Sequence, residues 1–249
     1  MKKSNSRRGF SLPELAVVMF LTTLITGVLV VFYSQSRLTL ERGVTKTTLQ
    51  QKTRIAATRI IPKITSVIQF PGNPNFAAPW NEQVDAIVAP LPSTAVNPQT
   101  DPGVAEIRLM TTKQFVKEQL RQPVLPADEF NPRWDGTQAT LPYAVLRVWF
   151  EVTGNDPELG DKGVVKMDPD TPTIPGDDIV LASDLTLVSF MVYPDNRRVR
   201  LRVMARDFIK SATGDKAGPD GRSINTDVYE TDIYLPVYTN SAGGSAAAP

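Results

Sequence analysis

From Phe10 to Tyr33 the chain carries one formal charge, Glu14, in an otherwise apolar run. As an α-helix this run would rise ~1.5 Å per residue and reach ~36 Å, enough to cross a ~30 Å hydrocarbon core. A basic leader precedes it: Lys2, Lys3, Arg7 and Arg8, followed by Gly9. Positive charge on that side keeps an N-terminus cytoplasmic and sends the following body across the membrane.

Two plain readings compete here. A secretory signal peptide has an apolar core of ~7–15 residues and then a small-x-small cleavage site. This run is longer, Glu14 interrupts its start, and Ser34-Gln35-Ser36 matches such a site weakly. The other plain reading is an N-terminal membrane anchor. Glu14 bears on both, because a charge within a span costs about 2.5–3.5 kcal/mol on insertion scales and needs a partner. A capping box would supply one, with Ser11 as N-cap, Glu14 three residues on and Pro13 in the first turn. That accounts for the spacing, but not for a cap inside the apolar run. Pairing with a neighbouring subunit accounts for both.

The order Gly9-Phe10-Ser11-Leu12-Pro13-Glu14, with its basic leader and long apolar run, resembles the class III signal of type IV prepilins and type II secretion pseudopilins. The resemblance covers residues 7 to about 33. It implies cleavage between Gly9 and Phe10 by a membrane prepilin peptidase, and N-methylation of Phe10. It also implies that Glu14 docks on a neighbour's N-terminal ammonium within a helical filament, where an unpaired charge would be costly. The expected partners are the peptidase, sibling pilins or pseudopilins, an inner-membrane assembly platform and membrane lipid. The expected location is the inner membrane, single-pass, with the N-terminus cytoplasmic and the head periplasmic, or extracellular in the filament.

Residues 34–65 read as an amphipathic stalk helix, with Leu38, Val44, Leu49, Ile55 and Ile60 at roughly helical intervals between basic residues. Gly43 and the Thr22-Thr23 to Thr26-Gly27 cluster are helix-weakening, and Pro62 should kink or end the helix. Eleven prolines lie between Pro71 and Pro142, so that region should be mostly loop. Short strands are expected at 84–89 and 104–110, a helix at 112–121 and an extended loop at 129–140. Further strands are expected at 145–153, 164–167, 179–181, 185–193, 198–206 and 228–235, with a loop from 211 to 225. The fold class is α+β: a long N-terminal hydrophobic α-helix, membrane segment plus stalk, with a C-terminal antiparallel β-sheet head, as in type IV pilins. The organisation is leader 1–9, transmembrane and assembly helix 10–33, stalk 34–65, β-rich head 66–240, and a small-residue tail 241–249 read as disordered. The layout resembles the larger minor pseudopilins of the J type and the W-type minor pilins, without their sharper motifs.

The chain has neither Cys nor His. That excludes a disulfide framework, a Ser-His-Asp triad, a Cys nucleophile and His or Cys metal ligands. Net charge falls from +1 to −3 once the leader's four cations are removed, which argues against a dominant nucleic-acid role. Arg198, Arg200 and Arg202 share one strand face, a ridge that could meet DNA, anionic lipid or an acidic partner. A solvated strand face is the simpler reading. Asp168, Asp170, Asp177 and Asp178 crowd a Pro-rich loop whose oxygens would suit Ca²⁺, against a plainer reading as turn chemistry. Asp215, Asp220 and Asp227 form a weaker version. Trp80 and Trp134 lie in loops, and Trp149 in an apolar strand should be core. No catalytic constellation is expected, and no cofactor beyond that Ca²⁺. The functional expectation is a minor pilin or pseudopilin in a tip or priming complex. The alternatives are a DNA-uptake minor pilin, or a membrane-anchored binding module that does not polymerise.

Overall fold

A computed structural model describes residues 11–68, 85–89, 103–129, 143–169, 178–193, 197–210 and 222–236. One α-helix, α1 (Leu12–Thr65), opens the chain. Antiparallel strands dominate the remainder, giving an α+β protein. The chain divides into two compact units. The first comprises residues 1–46 with 209–223, and the second 47–208 with 224–249.

In the first unit, α1 exposes its apolar side chains from Leu12 to Tyr33. The segment is long and apolar enough to cross a membrane. The expected weak spot at residues 22–27 does not break the helix. The hydroxyls of Thr22, Thr23 and Thr26 donate to the carbonyls of Val18, Met19 and Thr22 at 2.7–2.8 Å, so the helix itself satisfies them.

In the second unit, the end of α1 becomes a core element. Leu49, Ala56, Ala57, Ile60 and Ile64 are buried at i+3 and i+4 spacings and join one cluster with the strands. Pro62 stands in the last turn of α1, which runs on to Thr65, the expected end of the stalk. Proline removes one N–H, but Ile60 and Ile64 hold the last turn in the core. Side chains also take up terminal carbonyls there, Thr65 Oγ1 donating to Ile61 and Ser66 Oγ to Lys63.

Five strands form the first sheet in the order β1 (Ile87–Ala89), β2 (Glu106–Thr112), β3 (Tyr143–Asp156), β4 (Gly160–Asp168), β5 (Ile179–Leu185). All neighbours are antiparallel. Helix α2 (Lys113–Gln119) comes after β2, with the Thr112 hydroxyl accepting from the Phe115 N–H at 3.0 Å as its N-cap. It closes on Arg121, which takes φ 53°. Gln122 N–H reaches the Lys117 carbonyl and Arg121 N–H that of Glu118, a Schellman ending without the usual glycine.

The second sheet is β6 (Leu187–Val192), β7 (Arg198–Lys210) and β8 (Arg222–Tyr234), in that order. β5 and β6 are nearly continuous in sequence yet belong to different sheets. The bend between them is at Thr186, just after Asp184 takes φ 56° near the end of β5, and Thr186 N–H already bonds to the Met204 carbonyl of β7. The sequence assigned Leu185 to the later strand; it ends the earlier one. The two sheets are joined through Val104 and Phe190, which exchange both backbone hydrogen bonds at 2.8 Å. Gly103 makes that approach feasible: its φ is +72°, and a Cβ there would lie 2.7 Å from the Phe190 carbonyl oxygen.

Several strand limits differ from expectation. β3 and β4 are longer, because the hairpin turn at 157–159 lets pairing run to Asp156 and Gly160. β8 begins at Arg222, so residues 222–225 are strand and not loop. Trp149 is not core. In β3 Ala144, Leu146 and Val148 point inward, which sends Arg147 and Trp149 to the opposite face, where the guanidinium lies 4.3 Å from the indole centroid. Residues 129–140, apart from Glu129, lie outside the described residues, as do Trp80, Trp134 and the tail 241–249.

Candidate functional site

Gly9 and Phe10 precede the described residues, which begin at Ser11. Local hydrogen bonds build the helix start immediately after them. Ser11 N–H and Ser11 Oγ both donate to Glu14 Oε2, each at 2.9 Å, while Leu15 N–H makes the first helical bond to the Ser11 carbonyl. This is half of a capping box. Glu14 reaches back to the N-cap N–H as expected, but the Ser11 hydroxyl serves the carboxylate and not a helix N–H. Within 11–33 Glu14 is the one charged residue, and its neighbours Leu12, Leu15, Val17 and Val18 are all exposed. Farther along, Leu24, Gly27, Val28, Val31, Phe32 and Gln35 line an open groove of about 540 Å³. A Cβ at Gly27 would meet nothing within 4 Å, so the face has room for another apolar side chain.

The arginine ridge is not a free cationic stripe. Arg200 bonds Asp232 through Nε at 2.9 Å and Glu230 at 3.1 Å. Arg198 stacks 4.4 Å over Tyr193, whose hydroxyl donates to Asp232 at 3.1 Å. The Arg200 hydrogen bond holds Asp232 below the ordinary carboxylate range, and burial pushes the Tyr193 phenol up. The cross-strand acids of β8 thus engage Arg200, the middle residue of the ridge. The sequence held a signal for this: Glu230 and Asp232 have the same period-2 spacing as the arginines opposite.

Of the calcium candidates, Asp170 and Asp177 lie outside the described residues. Asp168 faces Arg147 across the β3–β4 pair, and Asp178 lies 3.8 Å from Lys166. Among the described residues no group of three or more carboxylates is gathered for a metal. Asp215 and Asp220 are likewise outside, whereas Asp227 accepts from the buried Thr53 hydroxyl at 2.6 Å and ties β8 to α1. Sequence reasoning missed that bond, which joins residues 174 positions apart. It also missed the Arg108–Glu106–Arg147 network at 2.8 and 2.7 Å, in which the Arg147 hydrogen bond lowers the Glu106 pKa.

Compared with protein families, with curated proteins and with solved structures, the chain matches none.

Proposed function

We propose that this chain is a minor pilin or pseudopilin, a non-enzymatic structural subunit of a periplasmic filament of the type II secretion or type IV pilus kind. The observation that carries the reading is the start of α1. The apolar span of α1 up to Tyr33 leaves its side chains exposed, and the one carboxylate within that span is tied only to Ser11 among the described residues. A simple anchor has no use for a charge there. A subunit whose helix must register against others does, because a buried charge pair opposes every misaligned packing. The same helix continues into the core of a β-rich unit, so the span and the domain it carries share one continuous element. The prepilin-like order from Gly9 to Glu14 supplies the processing step, and a bulky β domain favours a place at the filament tip. Pairing of Arg200 with Asp232 and Glu230 takes one of the three ridge arginines away from the DNA-uptake reading.

A photocrosslinking residue at Leu24, on the exposed groove, tests the packing. In native membranes it is expected to capture a subunit that itself opens with a basic leader, an apolar helix and a carboxylate. Adducts to lipid alone would contradict the proposal.

A further inference from the structure

Among the described residues, strand β5 ends the five-stranded sheet and pairs with β4 alone. Beside its other edge, Thr58, Arg59, Pro62 and Lys63 of α1 and Val180 and Leu181 of β5 line an open groove of about 320 Å³. Three observations say what this groove would take.

First, its two cations face no anion among the described residues. Arg59 Nη1 donates to the Leu181 backbone carbonyl at 3.0 Å, and Lys63 Nζ to the neutral Gln119 Oε1 at 2.5 Å while lying 5.5 Å from the Phe115 ring centroid. Burial lowers the Lys63 pKa, and no carboxylate among the described residues holds it up. The acid next to β5, Asp178, is engaged by Lys166 on the neighbouring strand. Arg59 and Lys63 are four residues apart, so both cations stand on one side of the helix.

Second, two backbone carbonyls here lack the donor that regular secondary structure would give them. The Leu181 carbonyl is turned from β4 toward α1 and is met by a side chain where a further strand would offer an N–H. On the helix side Pro62 has no N–H, so the Thr58 carbonyl lacks its i+4 donor. Third, the groove carries an apolar anchor point: Val180 is 55% exposed, next to the buried Leu181.

We propose that this groove binds an extended, carboxylate-bearing segment of a partner protein, which adds a strand to β5 and sets a carboxylate between Arg59 and Lys63. An added strand would give the Leu181 carbonyl a backbone donor, freeing Arg59 to meet the incoming carboxylate. Alternating side chains on that strand would place an apolar residue on Val180 and an acid over the helix. A nucleic-acid strand could answer the charge, but not the edge backbone. This inference is separate from the filament reading, and either could fail without the other.

The test is fluorescence anisotropy with the full-length chain in detergent micelles. Its probe is a labelled octapeptide of alternating valine and glutamate. Two controls accompany it: the valine–lysine counterpart, and the valine–glutamate peptide N-methylated at alternate residues. The acidic peptide is expected to bind roughly tenfold tighter than either control. The paired change Arg59→Gln with Lys63→Gln, or Arg59→Glu with Lys63→Glu, is expected to weaken it by roughly the same factor while helical circular dichroism is retained. Equal binding of the lysine or N-methylated peptide, unaltered binding to folded variants, no saturable binding, or equally tight binding of an oligothymidine would overturn the proposal.

Discussion

Phe190→Ala is expected to cost about 3–5 kcal/mol of stability, the usual effect of emptying a large aromatic site in a core that cannot fully close. Phe190 is fully buried in β6, and its backbone joins Val104, so its ring fills the place where the two sheets are linked. A domain with ~5–15 kcal/mol in total would lose a large share of it. The melting temperature of the second unit should fall by roughly 10 °C, given ~2–4 °C per kcal/mol at this size. Tyr234→Ala is the matched control. That ring is 69% exposed, so its removal should stay within about 0.5 kcal/mol. Thermal denaturation followed by near-ultraviolet circular dichroism reads both. Equal effects would mean that the sheet junction is not where the core is tightest.

Glu14→Val is expected to remove the chain from filaments by an order of magnitude or more while leaving it in the membrane. Insertion itself should become easier, since a charge within a span costs about 2.5–3.5 kcal/mol. Glu14→Gln separates the two duties of this side chain. Glutamine can still accept from the Ser11 N–H and keep the helix start that Glu14 now makes. It cannot neutralise a neighbour's ammonium. If capping were the whole role, Gln would behave like Glu. If charge pairing is the role, Gln should fail as Val does. Quantifying the chain in sheared filaments and in the membrane fraction, side by side, gives both readouts.

Period and range decide which features were legible in the sequence. The apolar span from Leu12 to Tyr33 and the alternating strands β3 and β7 show in short windows, because burial on one face imposes a period that local composition reveals. The capping contact of Glu14 was legible for the same reason, since it spans only three residues. Trp149 was misread because apolar character does not say which face of a strand is inward; only the neighbours in β2 and β4 decide it. The end of the stalk near Pro62 was legible from the proline itself, and the burial of Ile60 and Ile64 carries the helix through it to Thr65. The arginine ridge looked cationic because its counter-charges, Glu230 and Asp232, sit some thirty residues downstream on β8. The β5–α1 groove was invisible for a similar reason. Arg59 and Leu181 are 122 positions apart, and nothing local marks them as partners.

One chemical event, at the junction of Gly9 and Phe10, distinguishes a filament subunit from an anchored domain. Mass spectrometry of the mature protein, purified from membranes of its own cells, reads that event directly. The predicted result is an N-terminal peptide that begins at Phe10 and carries one methyl group on its amine. An intact Met1, or a new terminus near Ser36, would contradict it and return α1 to the role of an anchor or a signal.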